Sequence, residues 1–372
     1  MHIAVASHDV FWPVRGGGGV RVYWVTRALL ERGHRITVIA PFLHRRDLDK
    51  PFPGIRIWSI GRITRFSAHK ELRYAVLMAR TFIRLMRIRA DVFYAQNVVA
   101  ALPAVCAGRL RHVPVVFDMI DLLTGYSRNA AARRIGAVLE TWVLKRADAV
   151  AVTSRNLMQL ARDCGSKNTE QVRHGVDLET FFPRRSRRDT VAFVGGIEAN
   201  DGVDLIPRAA QAVLKEFPRI RFLFVGEGKA LPGLVRQVRV SGMKDRFEFR
   251  KWVDQSKLPG ILARALVGLV TSYRSPGTDY AYPLRSIEYM AMGVPFVASD
   301  LEGVREQAER SRGGLLFESG NAEALAEALL RILRDPGLAR RLGQNGRSWA
   351  LEHADWKTNA ARVADLCESV VR

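Results

Sequence analysis

Arg285 and Glu288 stand three residues apart in the segment 282–300, YPLRSIEYMAMGVPFVASD. On a helix that spacing sets two side chains on neighbouring faces of one turn. A carboxylate accepts two hydroxyl hydrogens at once, so Glu288 suits the edge of a ribose or hexose. The planar fork of a guanidinium suits phosphate oxygens, so Arg285 suits a diphosphate. A salt bridge between the two is the plainer reading, as is an acidic residue near a helix start for dipole reasons. Glycine supplies a second candidate. Gly16, Gly17, Gly18 and Gly19 bare the backbone ahead of a helix start, where N–H groups point at a ligand. They do not complete G-x-G-x-x-G, because Val22 occupies the last slot, and a mobile loop is the alternative. Asp9, Asp118 and Asp121 form a third set. At predicted strand ends, each is placed to orient a hydroxyl or to act as an ordinary loop or cap residue. No cluster of cysteine and histidine suggests a metal, and no Walker-type phosphate loop is present.

The elements that must position these residues alternate. A Pro-led segment opens a short helix around Glu288, closed by Met290-Ala291-Met292-Gly293, and the apolar runs 266–271 and 294–298 read as strands on either side. Residues 3–7 and 35–40 read as strands, 16–19 as a flexible loop, and 20–31 as a helix with Gly33 as its C-cap. A second set begins at Thr190. Residues 191–194 read as a strand, 195–202 as a loop, 203–217 as a helix and 221–225 as a strand ending in Gly226-Glu227-Gly228. Two such βαβ openings predict two doubly wound α/β domains. The polar, basic stretch PRRSRR, residues 183–188, marks the junction and gives domains of 1–183 and 184–355. A carboxylate at a helix start outside a parallel strand is where open α/β sheets bind nucleotides and sugars.

Composition bounds the partners. A chain of 372 residues with 48% hydrophobic content can pack two cores. The formal charge of +21, from 58 basic and 37 acidic residues, implies an anionic partner: a nucleotide-linked substrate, an acidic lipid surface or nucleic acid. Within 69–89, HKELRYAVLMARTFIRLMRIR, the basic residues Lys70, Arg73, Arg80, Arg84 and Arg87 predict one stripe of a helix. Leu72, Val76, Phe82, Ile83 and Met86 supply apolar surface. Such a helix suits peripheral contact with an anionic membrane, and a solvated helix face is the alternative. Nucleic acid is disfavoured, because aromatics do not interleave with the arginines as stacking platforms. Cys106, Cys164 and Cys367 share no disulfide or metal spacing, which fits a reducing cytosol. No charged-then-apolar signal region opens the chain, and no apolar run approaches the ~20 residues that span a bilayer.

Six motifs in order then resemble the retaining family-4 glycosyltransferases of the GT-B fold. Gly17-Gly18 with LLERGHRITVIAP is similar to their N-terminal signature, and HGVDLETFFP to their N-G-V-D-x-x-x-F-x-P linker. FVGGIEANDGVDL stands where they carry V-G-R-x-x-x-x-K-G, and FVGEG, SIEYMAMGVPFVASD and GGLLFESGNAEALAEAL follow. The resemblance covers nearly the whole chain. It implies two Rossmann-like domains facing across a cleft, with the C-terminal helix, 356–372, packing back on the first. In the family's Glu-x7-Glu motif, Glu288 matches the second Glu and so implies a donor-ribose contact; the first falls on Tyr280, with Asp279 one place off. The family's diphosphate-holding Arg and Lys fall on Gly196 and Asp201, and its site His falls on Ile120 before Asp121. Arg285 and Lys229 are the cations at hand to replace the missing pair. PLRSIEYMA, residues 283–291, resembles a P-L-[KR]-x-x-E-Y-M-A form found in members that also lack the first Glu.

The resemblance implies a cytoplasmic enzyme that moves a sugar from a nucleotide-sugar donor to an acceptor hydroxyl with retention. Neither metal nor cofactor is implied. The transition state is oxocarbenium-like, and the departing phosphate takes the acceptor proton on the same face. The protein's share is positioning and electrostatics. Donor contacts then fall on Gly17, Gly18, Gly195, Gly196, Glu227, Arg285, Ser286 and Glu288, and catalytic roles on Asp121 and Asp118. The acceptor would be a glycan, a glycolipid or an envelope polysaccharide, lipid-linked if the basic helix meets a membrane. Two other readings share the fold: a binding or partner subunit without transfer activity, and a nucleotide-sugar epimerase.

Overall fold

Strands of this chain read as near-continuous apolar runs because parallel sheets are covered on both faces. The computed structural model describes residues 1–14, 16–42, 52–62, 70–127, 129–184, 186 and 188–371. They form two compact units: 1–173 with 357–372, and 174–356.

In the first unit, the strands are β1 (His2–Ala6), β2 (Arg35–Phe42), β3 (Arg56–Arg62), β4 (Val92–Gln96), β5 (Val115–Met119), β6 (Ala149–Val152) and β7 (Thr169–Gln171). The sheet order is β3-β2-β1-β4-β5-β6-β7, all parallel. Its helices are α1 (Gly16–Glu31), α2 (Lys70–Arg87), α3 (Asn97–Arg111), α4 (Ala130–Arg146) and α5 (Arg155–Asp163). The order reverses between β1 and β4, which is the switch point where doubly wound sheets take ligands. One correction falls here. Gly16 to Gly19 are the first turn of α1, not a loop before it. The helix can start there because Gly19 passes Val10 O where a Cβ would stand at 3.1 Å, and Gly18 passes Asp9 more closely still.

In the second unit, the strands are β8 (Thr190–Val194), β9 (Arg221–Val225), β10 (Phe247–Arg250), β11 (Ala265–Val270), β12 (Phe296–Ser299) and β13 (Gly314–Phe317). Their order, β10-β9-β8-β11-β12-β13, repeats the same winding with its switch between β8 and β11. The helices are α6 (Leu205–Glu216), α7 (Leu231–Val240), α8 (Leu258–Leu262), α9 (Pro276–Tyr280), α10 (Leu284–Ala291), α11 (Glu302–Ser311), α12 (Ala322–Arg334) and α13 (Pro336–His353). One core layer gathers Phe193, Phe222, Phe224 and Phe247 under α6 and α12; the other gathers Ile287, Tyr289, Met290 and Phe296 around α10.

The first unit ends at Arg173, ahead of the expected junction at Pro183. The reason is packing. Val176 and Phe181 are fully buried in the second unit's core, so the HGVDLETFFP segment belongs to it. Val176 also bridges Asp355, the last stretch before the chain returns, and Gly175 lets Trp356 N approach to 2.7 Å of where a Cβ would be. Arg185 and Arg187 of the PRRSRR stretch lie outside the described residues. From Lys357 on, the final helix α14 (Trp356–Ser369) groups with the first unit. Arg32 reaches Asp365 at 2.7 Å, His34 reaches Glu368 at 2.8 Å and Arg362 pairs with Glu170.

Candidate donor site

Helix α10 is held at three places. The Tyr289 hydroxyl accepts from Val194 N at 3.1 Å and lies 3.1 Å from Ala192 O, where it donates, so the helix is tied to β8. Its ring fills the space over Gly268, where a Cβ on β11 would stand 2.2 Å from Tyr289 Cδ2. At the carboxyl end, Arg347 donates to Ala291 O at 2.7 Å and Arg188 to Gly293 O at 3.1 Å. Cations there complement the helix dipole and cap its carbonyls. The fixed helix starts outside the carboxyl ends of β8 and β11, at the switch point of the second sheet.

Arg285 and Glu288 occupy this start, and they do not bond to each other. The Arg285 guanidinium lies over the Phe193 ring, 4.6 Å from its centroid, and Nη2 donates to Asp201 Oδ1 at 3.1 Å. Gly195 leaves it room, since a Cβ there would stand 3.1 Å from Nη2. Arg285 Nη1 is buried and has no hydrogen-bond partner among the described residues. Glu288 is 6% exposed. Burial pushes its carboxyl up to about 7, against the pull of the Gln255 hydrogen bond and the Arg285 charge. Gln255 Nε2 donates to Glu288 Oε1 at 3.2 Å. Ser286 is buried beneath them: its hydroxyl lies 2.5 Å from Gln307 Oε1 and 2.9 Å from Pro283 O. The Ser286 side chain therefore fastens the helix start to α11, and only its backbone N–H remains for a ligand.

The glycines at this edge have a structural reason. A Cβ on Gly226 would stand 1.9 Å from Gly195 O, and one on Gly228 2.1 Å from Ile197 O. The loops after β8 and β9 thus pack backbone to backbone, with Glu227 O accepting from Ile197 N at 3.1 Å. Gly196 is exposed beside them, and so is Lys229. Asp201 is fixed twice more: Oδ2 accepts from Glu198 N at 3.1 Å, and its carbonyl accepts from Thr271 Oγ1 at 2.8 Å. Asp279, next to Tyr280 in α9, pairs with Arg274 at 2.7 Å.

At the first unit's sheet edge, Asp118 is enclosed rather than open to a ligand. Asp118 is fully buried within β5. It receives Arg21 Nε at 2.6 Å and Nη2 at 2.8 Å, together with the Tyr94 hydroxyl. Arg21, itself fully buried in α1, also donates to Val172 O at 3.0 Å. Asp118 is a core residue because its side chain points under α1 rather than out of the strand end. Asp121, past the end of β5, is half-buried. Its charge adds to the burial that pushes the Glu140 carboxyl up to about 7. Ile120 is buried at the position between. Gly18 is spoken for, since a Cβ there would stand 2.0 Å from Asp9 Oδ2. Gln96 Nε2 donates to Gly18 O at 2.8 Å, and Gln96 in turn accepts from Ser7. Gly17 lies in the same first turn.

Three pairings escaped the sequence reading: Asp201 with Arg285, Gln255 with Glu288, and Arg21 with Asp118. A signal existed for the last. Arg21 stands in VRVYWV, an apolar face where an arginine needs a buried acid. On α2, Arg80 donates to Ile60 O at 3.0 Å and Arg84 to Ser59 O at 3.3 Å. Two cations of the predicted stripe therefore hold the β3 edge, while Leu72, Val76, Ile83 and Met86 stand exposed. His69 lies outside the described residues. No helix of the described residues is long and apolar enough to cross a membrane.

The family model described as Glycosyl transferase 4-like domain matches residues 16–215, and the one described as Glycosyl transferases group 1 matches residues 188–335. The chain is 24% identical to a glycogen synthase of Mycobacterium tuberculosis over 98% of its own length and 94% of that protein's. It is 30% identical to D-inositol 3-phosphate glycosyltransferase 2 of Catenulispora acidiphila, over 68% of this chain and 65% of that one. Among solved structures, sucrose-phosphate synthase of Thermosynechococcus elongatus superposes with a TM-score of 0.84 at 23% identity, covering 100% and 99% of the two chains. HepE of Anabaena, in complex with UDP-glucose, superposes with a TM-score of 0.80 at 18% identity, covering 99% and 100%. These likenesses show the GT-B fold.

Proposed function

The chain belongs to the glycosyl transferase 4-like family, and from that premise we propose that it moves a sugar from a nucleotide-sugar donor to an acceptor hydroxyl in glycan or glycolipid synthesis. The observation that carries the donor assignment is the start of α10. A buried guanidinium nitrogen without a partner and a buried carboxyl one turn later stand at the sheet's switch point. Arg285 takes the diphosphate and neutralises the charge that develops on the leaving group. Glu288, ionised, accepts the ribose hydroxyls, and Gln255 fixes its other contact. Gly195, Gly196 and Glu227 line the same edge. The UDP-glucose complex of HepE, a fold relative, supports a donor of this class. In the first unit, Asp121 rather than Asp118 is the acid left to orient an acceptor.

Retention without a metal is our reading of the chemistry, supported by the six ordered motifs. The leaving phosphate would deprotonate the acceptor on the face it departs from. An acceptor linked to lipid, met by peripheral docking, is supported by the exposed apolar residues of α2 beside the exposed Arg87. A non-transferring binding role is favoured by one observation, the absence of a cation at Gly196 and Asp201.

The test has two stages. Melting is followed with UDP, GDP, ADP and their sugars, since a ligand that binds the folded state raises the midpoint. One nucleotide series should do so selectively. The anomeric configuration of the product is then read by NMR. Retention is expected; inversion overturns the mechanism, and binding without any turnover transfers support to the non-catalytic role.

A further inference from the structure

An acid beside a phosphate-binding arginine is a liability unless it does something for that arginine. Asp201 is such an acid. Its side chain and that of Arg285 are 14% and 16% exposed, and Nη2 to Oδ1 is 3.1 Å. Asp201 cannot drift, because Glu198 N holds its other oxygen at 3.1 Å and Thr271 Oγ1 holds its carbonyl at 2.8 Å. Phe193 lies beneath Arg285, and Gly195 leaves it room at the side. With the ring beneath the guanidinium and Asp201 holding Nη2, the position of Nη1 is restricted. That nitrogen is the buried one without a partner.

We propose that Asp201 is a positioning residue for the donor site: it holds Arg285 so that Nη1 meets a phosphate oxygen, and it acts through Arg285 alone. The inference rests on the donor reading above, which gives Arg285 the diphosphate. It adds an assignment that neither the motifs nor the electrostatics of an acid would suggest. Removing a negative charge from near a phosphate should, on charge alone, tighten binding. Removing a positioning residue should weaken it, because an arginine side chain freed from one geometry must be ordered again when the ligand binds.

The sign of the effect decides the matter. Affinities for UDP and uridine, with the GDP and guanosine and the ADP and adenosine pairs alongside, are measured by calorimetry for the parent, Asp201→Ala, Asp201→Glu, Arg285→Ala and the double variant. Asp201→Ala should weaken the diphosphate about tenfold and leave the nucleoside unchanged, as expected for loss of a charge-assisted contact. Asp201→Glu should recover part of that loss. The double variant should bind the diphosphate no more weakly than Arg285→Ala. Diphosphate affinity that rises or stays level in Asp201→Ala overturns the inference, as does an additive penalty in the double variant. If Arg285→Ala itself leaves the diphosphate to nucleoside ratio unchanged, the donor reading has failed first, and the inference with it. An equal loss for nucleoside and diphosphate in Asp201→Ala means a structural role and overturns the inference alone.

Discussion

The two sheets wind in the same order, and each places charged residues near the carboxyl ends of its strands, yet the charges are used differently. At the first unit's edge, Asp118 has two arginine contacts and a tyrosine hydroxyl, and Arg21 has the acid and two backbone carbonyls. Every strong group of that cluster is paired within the chain. At the second unit's edge, among the described residues, Arg285 has one hydrogen bond and a buried nitrogen without a partner, and Glu288 has a single amide donor. The clusters differ in burial as well as in pairing, since Arg21 and Asp118 are fully buried whereas Arg285 keeps 16% of its side chain exposed. Full pairing marks a cluster that holds the fold, and incomplete pairing marks one kept for a ligand.

Arg21→Ala or Asp118→Ala strands a buried charge and should destabilise the first unit by about 3–5 kcal/mol. Chemical denaturation measures it, and nucleotide affinity of the protein that remains folded should be unchanged. A variant of either residue that is stable but inactive would restore Asp118 to the catalytic machinery. Next in size, Glu288→Gln should cost nucleoside affinity about 1.5–3 kcal/mol with the fold intact, because a charge-assisted acceptor is lost. Gly268→Ala should cost about 1–3 kcal/mol of stability, since the new methyl meets the Tyr289 ring that ties α10 to β8. Its melting midpoint should fall while the ratio of diphosphate to nucleoside affinity holds.

The pH dependence sharpens the same contrast. Glu288 and Glu140 have carboxyls raised from 4.5 to about 7 in the folded protein. A folded value above the unfolded one means that the unfolded state ionises first as pH rises. Their contribution to stability is complete below about 4.5 and is lost as pH climbs through about 7. Denaturation curves of Glu140→Gln should show a shallower loss between these limits. Nucleotide affinity should move the other way, rising through pH 7 as Glu288 ionises, and Glu288→Gln should abolish that rise. The smallest expected effect lies on α2. Ile83→Ser should change stability by no more than about 0.5 kcal/mol, and it should reduce sedimentation with anionic vesicles while leaving nucleotide binding alone.

Much of the architecture was legible because it is local. Apolar runs of strand length, glycine after each first strand and the spacing of the helices predict two doubly wound units, and the strand before Gly226-Glu227-Gly228 falls on Arg221–Val225. Glu288 and Arg285 were legible as a pair on one helical turn. Their partners were not. Asp201 is 84 residues from Arg285, and Asp118 is 97 from Arg21. Pairing over such separations leaves no periodicity to read. The direction of the Asp118 side chain was not legible for a related reason: β5 is buried on both faces, so VVFDM carries no alternation to say which way its acid points. The start of α1 was read one turn late because glycine signals a loop, whereas here it admits the neighbouring Asp9 and Val10 to a helix start.

Arg285, on the proposal above, is kept for a diphosphate. The most direct test is the affinity of Arg285→Ala for a nucleoside diphosphate against that for the bare nucleoside, by calorimetry at pH 8 with the fold verified by melting. A loss of about 1.5–3 kcal/mol for the diphosphate with the nucleoside unchanged is the predicted result. Equal losses, or no loss for either, would contradict it and return Arg285 to the fold alongside Arg21.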